Sequence, residues 1–182
     1  METVTTLPRG RPLTVADLEA MPDDGHRYEL IDGALVVTPA PGMRHQRASM
    51  RLGVLLSLAC PPHLEVFAAP FDVVLGQATG VQPDLVVARR EDLAERNLPT
   101  APLLVVEILS PSTQLVDLNL KKGLYEGAGV PSYWVVDPVE PRLRAWELRE
   151  GAYVDVADVA GGVAWTADRP FAVSVEPAAL VG

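Results

Sequence analysis

The stretch LLVVEILSPST, residues 103–113, decides the fold. Apolar residues flank a single carboxylate, Glu107, and a proline-broken polar turn follows at once. A continuous apolar run of this length predicts a strand buried on both faces. A buried carboxylate is costly unless something pairs with it, and a metal ion is one such partner. The hydroxyls of Ser110, Ser112 and Thr113 stand where they would cap a following helix, whose N-terminus could face a phosphate.

Downstream, QLVDLNLKKGLYEGAG predicts that helix, closed by a glycine-rich stop. Asp117, Lys121 and Tyr125 lie four residues apart on it, a spacing that puts them on one face. SYWVVD and RLRAWEL then predict two strands joined by the turn PVEP, with Trp134 and Tyr133 in the core. The tail beyond them reads as short strands and turns.

Upstream, VQPDLVV sets Asp84 at the head of an apolar strand, straight after Pro83. LEVFAAP and FDVVLG are two more β-prone runs, with Asp72 an edge or turn acid, and EDLAER is a helical turn at most. PGMRHQRASMRLGVLLSLAC predicts one long helix with apolar positions at Met43, Leu52, Leu55, Leu56 and Ala59, ended by Pro61-Pro62. RYELIDGALVVTPAP carries Asp32-Gly33 between two β-prone runs, the signal for a two-residue hairpin. Before it, Thr14 with Asp17 three residues on resembles a capping box, and Pro22 stops the short helix they open. The order points to an α/β (α+β) domain, a mixed central β-sheet flanked by two main helices.

The chain has 182 residues, enough for one domain with a core that needs no staples. It has one cysteine, Cys60, so no intrachain disulfide forms, and a reducing cytoplasm is the expected location. The N-terminal stretch lacks a signal-type apolar segment, and no apolar run is long enough to span a membrane. A net charge of −9 argues against a protein that holds nucleic acid by electrostatics alone. Arg44, Arg47 and Arg51 form the best local basic patch, whose bland reading is a solvated helix face. His26, His45 and His63 sit in separate segments without metal-ligand spacing; His26 and His63 read as surface residues and His45 as a weak candidate for substrate contact. No GxSxG, P-loop or dinucleotide fingerprint occurs, and no cofactor-binding residue is expected.

The residues that can do chemistry are Asp84, Glu107 and Lys121. Two carboxylates on neighbouring buried strands make an oxygen site for a hard cation such as Mg²⁺, to which the Ile108 carbonyl could add a third ligand. Such an ion polarises a phosphoryl oxygen and lowers the pKa of a bound water. A nearby lysine stabilises the developing charge. One Asp, one Glu, one Lys and a metal suit phosphodiester hydrolysis. Each residue has a plainer account: Asp84 as a turn residue after proline, Glu107 in a buried salt bridge, Lys121 as a helix partner of Asp117.

RYELIDGALVVTPAP, VQPDLVV, LLVVEILSPST and DLNLKKGLYEGAGVPSYWVVD resemble, in order and spacing, the signature blocks of the Uma-type restriction endonuclease family of the PD-(D/E)XK nuclease superfamily. The resemblance spans roughly residues 14–140 and leaves a β-rich extension over 141–182. It implies a restriction-endonuclease-like core with Mg²⁺ or Mn²⁺ at one end of the sheet, DNA as substrate and a homodimer as the working form. The superfamily acids map onto Asp84 and Glu107. The usual lysine position falls on Leu109, a departure from the pattern. The resemblance moves that role to Lys121 on the following helix, with Lys122 as the fallback. Glu29 matches a further block as a weaker acid candidate, and Tyr125 is a secondary one. A catalytically inactive module that binds nucleic acid or protein is the alternative.

Overall fold

The computed structural model describes residues 10–22, 24–110 and 116–182, without the side chains of 116 and 117. Ser112 and Thr113, the expected helix caps, lie outside the described residues, as does the side chain of Asp117.

Strands β1 (Arg27–Ile31) and β2 (Ala34–Thr38) form the expected hairpin, with Ile31 opposite Ala34. Asp32 and Gly33 both have positive φ, 48° and 79°. Two consecutive left-handed residues make the turn whose twist matches its strands, and glycine tolerates it without strain. A Cβ on Gly33 would also meet the Pro12 Cβ at 2.6 Å. Helix α1 (Val15–Glu19) is opened by Thr14, whose N–H and Oγ1 both donate to Asp17 Oδ2 at 2.8 Å. Helix α2 runs over Met43–Ala59 and buries His45, Ala48, Leu52 and Leu56. That spacing of three and four residues is one helix face. Met43, expected to be apolar and inward, is 69% exposed, because it lies off that stripe at the first turn.

Strands β3 (Leu64–Ala68), β4 (Asp72–Gly76), β5 (Thr79–Val81), β6 (Leu85–Arg89), β7 (Asn97–Leu98) and β8 (Leu104–Ile108) follow. One π-helical turn, Val116–Lys121, leads into α3 (Lys122–Gly127). Strands β9 (Ser132–Asp137), β10 (Arg142–Arg149) and β11 (Ala152–Ala160) precede a hairpin of β12 (Trp165–Ala167) and β13 (Val173–Val175), and α4 (Pro177–Val181) ends the chain.

Eleven of the described strands divide between two mixed sheets rather than forming one, and β12 and β13 pair as a separate two-stranded sheet. A five-stranded sheet has the order β2-β1-β5-β4-β7, and a six-stranded sheet the order β11-β10-β9-β8-β6-β3. The parallel pairs are β4–β7 and β8–β9. The larger sheet is buried on both sides, as the apolar run at 103–109 requires. On one side Leu104, Val106, Ile108 and Trp134 share a core with Leu52 and Leu56 of α2. On the other, Val105, Leu109 and Tyr133 share a second core with Ile31, Val73 and Val81 of the smaller sheet and with Tyr125. The segment after residue 140 is no loose appendage. It supplies β10 and β11 to the larger sheet, and Ala167, Val175 and Leu180 close the first core.

Candidate active site

The chain crosses from the smaller sheet to the larger one between β5 and β6, and the link is Gln82-Pro83-Asp84. This crossing fixes the site. Asp84 stands at the head of β6, and the register pairs Leu85 with Val106, so Asp84 comes beside Glu107. On β8, residues 104, 106 and 108 face α2, whereas 105, 107 and 109 face the layer between the sheets. Glu107 therefore projects between the sheets, opposite β1. Arg27 and Glu29 are two residues apart on β1 and share one strand face. Lys121 ends the π-turn, and Tyr125 follows one turn later.

These groups form one buried network. Lys121 Nζ donates to Glu29 Oε1 and to Glu107 Oε1, each at 3.0 Å. Tyr125 Oη donates to Glu107 Oε1 at 2.8 Å. The Gln82 N–H donates to Glu29 Oε1 at 2.8 Å. Asp84 Oδ2 accepts the Ile108 N–H at 2.8 Å and lies 3.0 Å from His45 Nε2. Arg27 donates to Asp84 Oδ1 at 2.9 Å, and its guanidinium comes within 3.6 Å of Glu29 and 3.9 Å of Glu107. Glu29, Asp84, Glu107 and Lys121 are all nearly inaccessible to solvent.

The electrostatics follow from this geometry. Burial alone would raise the Asp84 pKa, but the His45 hydrogen bond, the Arg27 charge and the Ile108 N–H outweigh it and hold the carboxyl below its ordinary value. Burial opposes the charge on Arg27, yet Glu29, Glu107 and Asp84 raise its pKa. Tyr125 is pushed well above its ordinary value by burial, then by the Glu107 and Glu29 charges, so its phenol stays a donor.

The structure gathers Asp84, Glu107, Lys121, Glu29 and Tyr125 at one point. Lys122 is turned elsewhere: its Nζ sits 4.6 Å over the Trp146 ring, because one residue along a helix rotates the side chain by about 100°. The Ile108 group seen in the site is its N–H, bonded to Asp84. The basic patch is engaged with the chain itself, since Arg47 and Arg51 donate to the Val181 and Ala179 carbonyls at the end of α4. His45 of helix α2, the weak candidate for substrate contact, stands beside Asp84. It is buried and orients Asp84, and its spacing to Ala48, Leu52 and Leu56 marked it as inward-facing. Arg27 was missed; only its two-residue offset from Glu29 places both on one strand face, and that offset by itself does not mark a site.

A divalent ion suits this donor set. Glu29, Asp84 and Glu107 each offer carboxylate oxygen, the ligand type that Mg²⁺ and Mn²⁺ prefer. Yet among the described residues no three His, Cys, Asp or Glu side chains stand together as a ready metal cluster. The acids are instead held by Arg27 and Lys121.

Acids on neighbouring strands of a mixed sheet, with a lysine on the next helical turn, thus share one buried ionic network. The chain matches the Uma2 family, described as "Putative restriction endonuclease", over residues 15–179, and belongs to it. Its fold is similar to that of a solved "putative nuclease belonging to DUF820 from Anabaena variabilis ATCC 29413". The TM-score is 0.66 at 18% identity, over 79% of this chain and 84% of that one. No curated protein matches. No helix among the described residues is long and apolar enough to cross a membrane.

Proposed function

We propose that this protein is a cytoplasmic, metal-dependent endonuclease that hydrolyses phosphodiester bonds of DNA with Mg²⁺ or Mn²⁺. Asp84 and Glu107 are the proposed ion ligands, with the Ile108 carbonyl as a third, and Lys121 is the proposed catalytic lysine. The observation that carries the reading is Lys121 Nζ at 3.0 Å from Glu107, a residue beside Asp84 on the neighbouring strand. The superfamily's usual lysine position is Leu109, and an ammonium from the following helix reaches the same acid.

The ion, when bound, supplies a Lewis acid for a phosphoryl oxygen and an acidified water. The chain's own residues do the rest. Lys121, steadied between Glu29 and Glu107, presents its ammonium to charge developing on the phosphate. Tyr125 fixes the Glu107 carboxylate through Oε1. His45 and the Ile108 N–H fix Asp84, which leaves its Oδ1 facing Arg27. The net charge of −9 weakens long-range attraction to DNA, so binding is local and assisted by the ion. Cutting both strands of a duplex takes two such sites, so a homodimer belongs to the proposal. The test is incubation of supercoiled, linear and single-stranded DNA with Mg²⁺ or Mn²⁺. Cleavage by the wild type and none by Glu107→Ala supports the reading. No cleavage of any form by the wild type counts against it, and cleavage of RNA alone redirects it.

The closed network favours a second reading, because Arg27 and Lys121 already pair every acid. A non-catalytic binding module predicts nucleic-acid or protein binding without turnover, unchanged in Lys121→Ala.

A further inference from the structure

β1 brings a cation, Arg27, and an acid, Glu29, to the same strand face. The Arg27 guanidinium lies 2.9 Å from Asp84 Oδ1, 3.6 Å from Glu29 Oε1 and 3.9 Å from Glu107 Oε2. Each of the three acids thus turns an oxygen to this one group. Lys121 pairs with Glu29 and Glu107 through their Oε1 atoms. We propose that Arg27 is a built-in competitor of the divalent ion: its guanidinium fills the ion's locus in the metal-free protein and swings outward when the ion binds. This rests on the metal-dependent reading above.

Charge explains why the two exclude each other. Arg27 and Lys121 already pair Glu29, Asp84 and Glu107. A divalent ion added beside both cations would meet their repulsion, which a low-dielectric interior strengthens. Exposure decides which cation leaves. The Lys121 side chain is 3% exposed, and the Arg27 side chain is 21% exposed. Arg27 lines both the small cavity at the acids and an adjoining open cavity of about 370 Å³, bounded by His26, Pro39, Pro41, Gln46 and Ser49. The guanidinium has somewhere to go. Among the described residues its buried Nε has no hydrogen-bond partner, nor have His45 Nδ1 and Thr38 Oγ1 on the same small cavity. A permanent structural clamp would use that donor.

The experiment is Mn²⁺ binding by calorimetry to the wild type and to Arg27→Met, with melting temperatures taken with and without the ion. Removing a competitor removes its tax on affinity, so Arg27→Met should bind Mn²⁺ about tenfold more tightly or better. It should also melt lower than wild type without the ion and gain more when the ion is added. In Arg27→Ala, millimolar guanidinium should raise the melting temperature and weaken Mn²⁺ binding together, with no such effect on the wild type. A measurement on the wild type alone does not depend on a variant folding: the Arg27 Nε–H resonance should shift on Mg²⁺ titration along the same isotherm as the heat. Equal affinities in the wild type and Arg27→Met, or a static resonance while heat shows binding, overturn the proposal and leave the metal-dependent reading standing. No metal binding by any chain overturns both.

Discussion

At the scale of single residues, Glu107 shows how an apolar strand carries an acid. Its Oε1 takes bonds from Tyr125 and Lys121, so charge-assisted hydrogen bonds offset the desolvation of burying it. Tyr125→Phe removes one donor from a carboxylate without changing shape. It should cost about 1–3 kcal/mol, read as a lower urea midpoint at unchanged m-value. Lys121→Met is harsher, because it leaves Glu29 and Glu107 short of a buried counter-charge. It should destabilise the protein by about 3–5 kcal/mol, and an unfolding midpoint equal to wild type would show that the network does not need the lysine. Glu107 was legible as a buried, paired acid because a carboxylate inside an apolar run needs a partner, whereas Asp84 after Pro83 also has an ordinary turn reading. Arg27 was not, because an arginine at the start of a strand is unremarkable until the chain opposite it is known.

At the scale of elements, α1 depends on a cap with a pH signature. Asp17 accepts two bonds from Arg11, at 2.7 and 2.8 Å, beside those from Thr14. The Arg11 hydrogen bond first, then the Thr14 amide and hydroxyl, hold its carboxyl well below its ordinary 3.8. A depressed pKa adds stability that is present above the unfolded value and lost as pH falls through the folded one. Asp17→Asn should therefore melt below wild type at neutral pH, and the gap should close progressively as pH drops below about 4. A gap that stays constant with pH would show that the ionised carboxylate is not what holds the cap. The Asp32-Gly33 hairpin and the break of α2 at Pro61 were readable because turn and breaker chemistry is local. The π-turn at Val116–Lys121 was not, since nothing in VDLNLK separates it from an ordinary helical turn.

At the scale of the whole molecule, the C-terminal segment belongs to the core. Leu180 is fully buried beside Leu52 and Leu56, and α4 is held to α2 by Arg47 and Arg51. Leu180→Ala should cost about 2–5 kcal/mol, as a core deletion does. A change near zero in chemical denaturation would make the tail an appendage after all. The same packing ties two arginines of the basic patch to the chain, since Arg47 and Arg51 each donate to a carbonyl of α4.

The sequence by itself determined the hairpin, the two principal helices, the doubly buried strand and the identity of the two strand acids. These follow from periodicity, turn chemistry and the cost of burying charge, which act over a few residues. Only the tertiary structure decided that the strands split into two sheets and that Pro83-Asp84 is the corner between them. It alone brought Arg27 and Glu29 of β1, His45 of α2 and Lys121 of the π-turn, three distant segments, together with Asp84 and Glu107. Convergence of that kind is set by which faces pack together, and no local spacing encodes it.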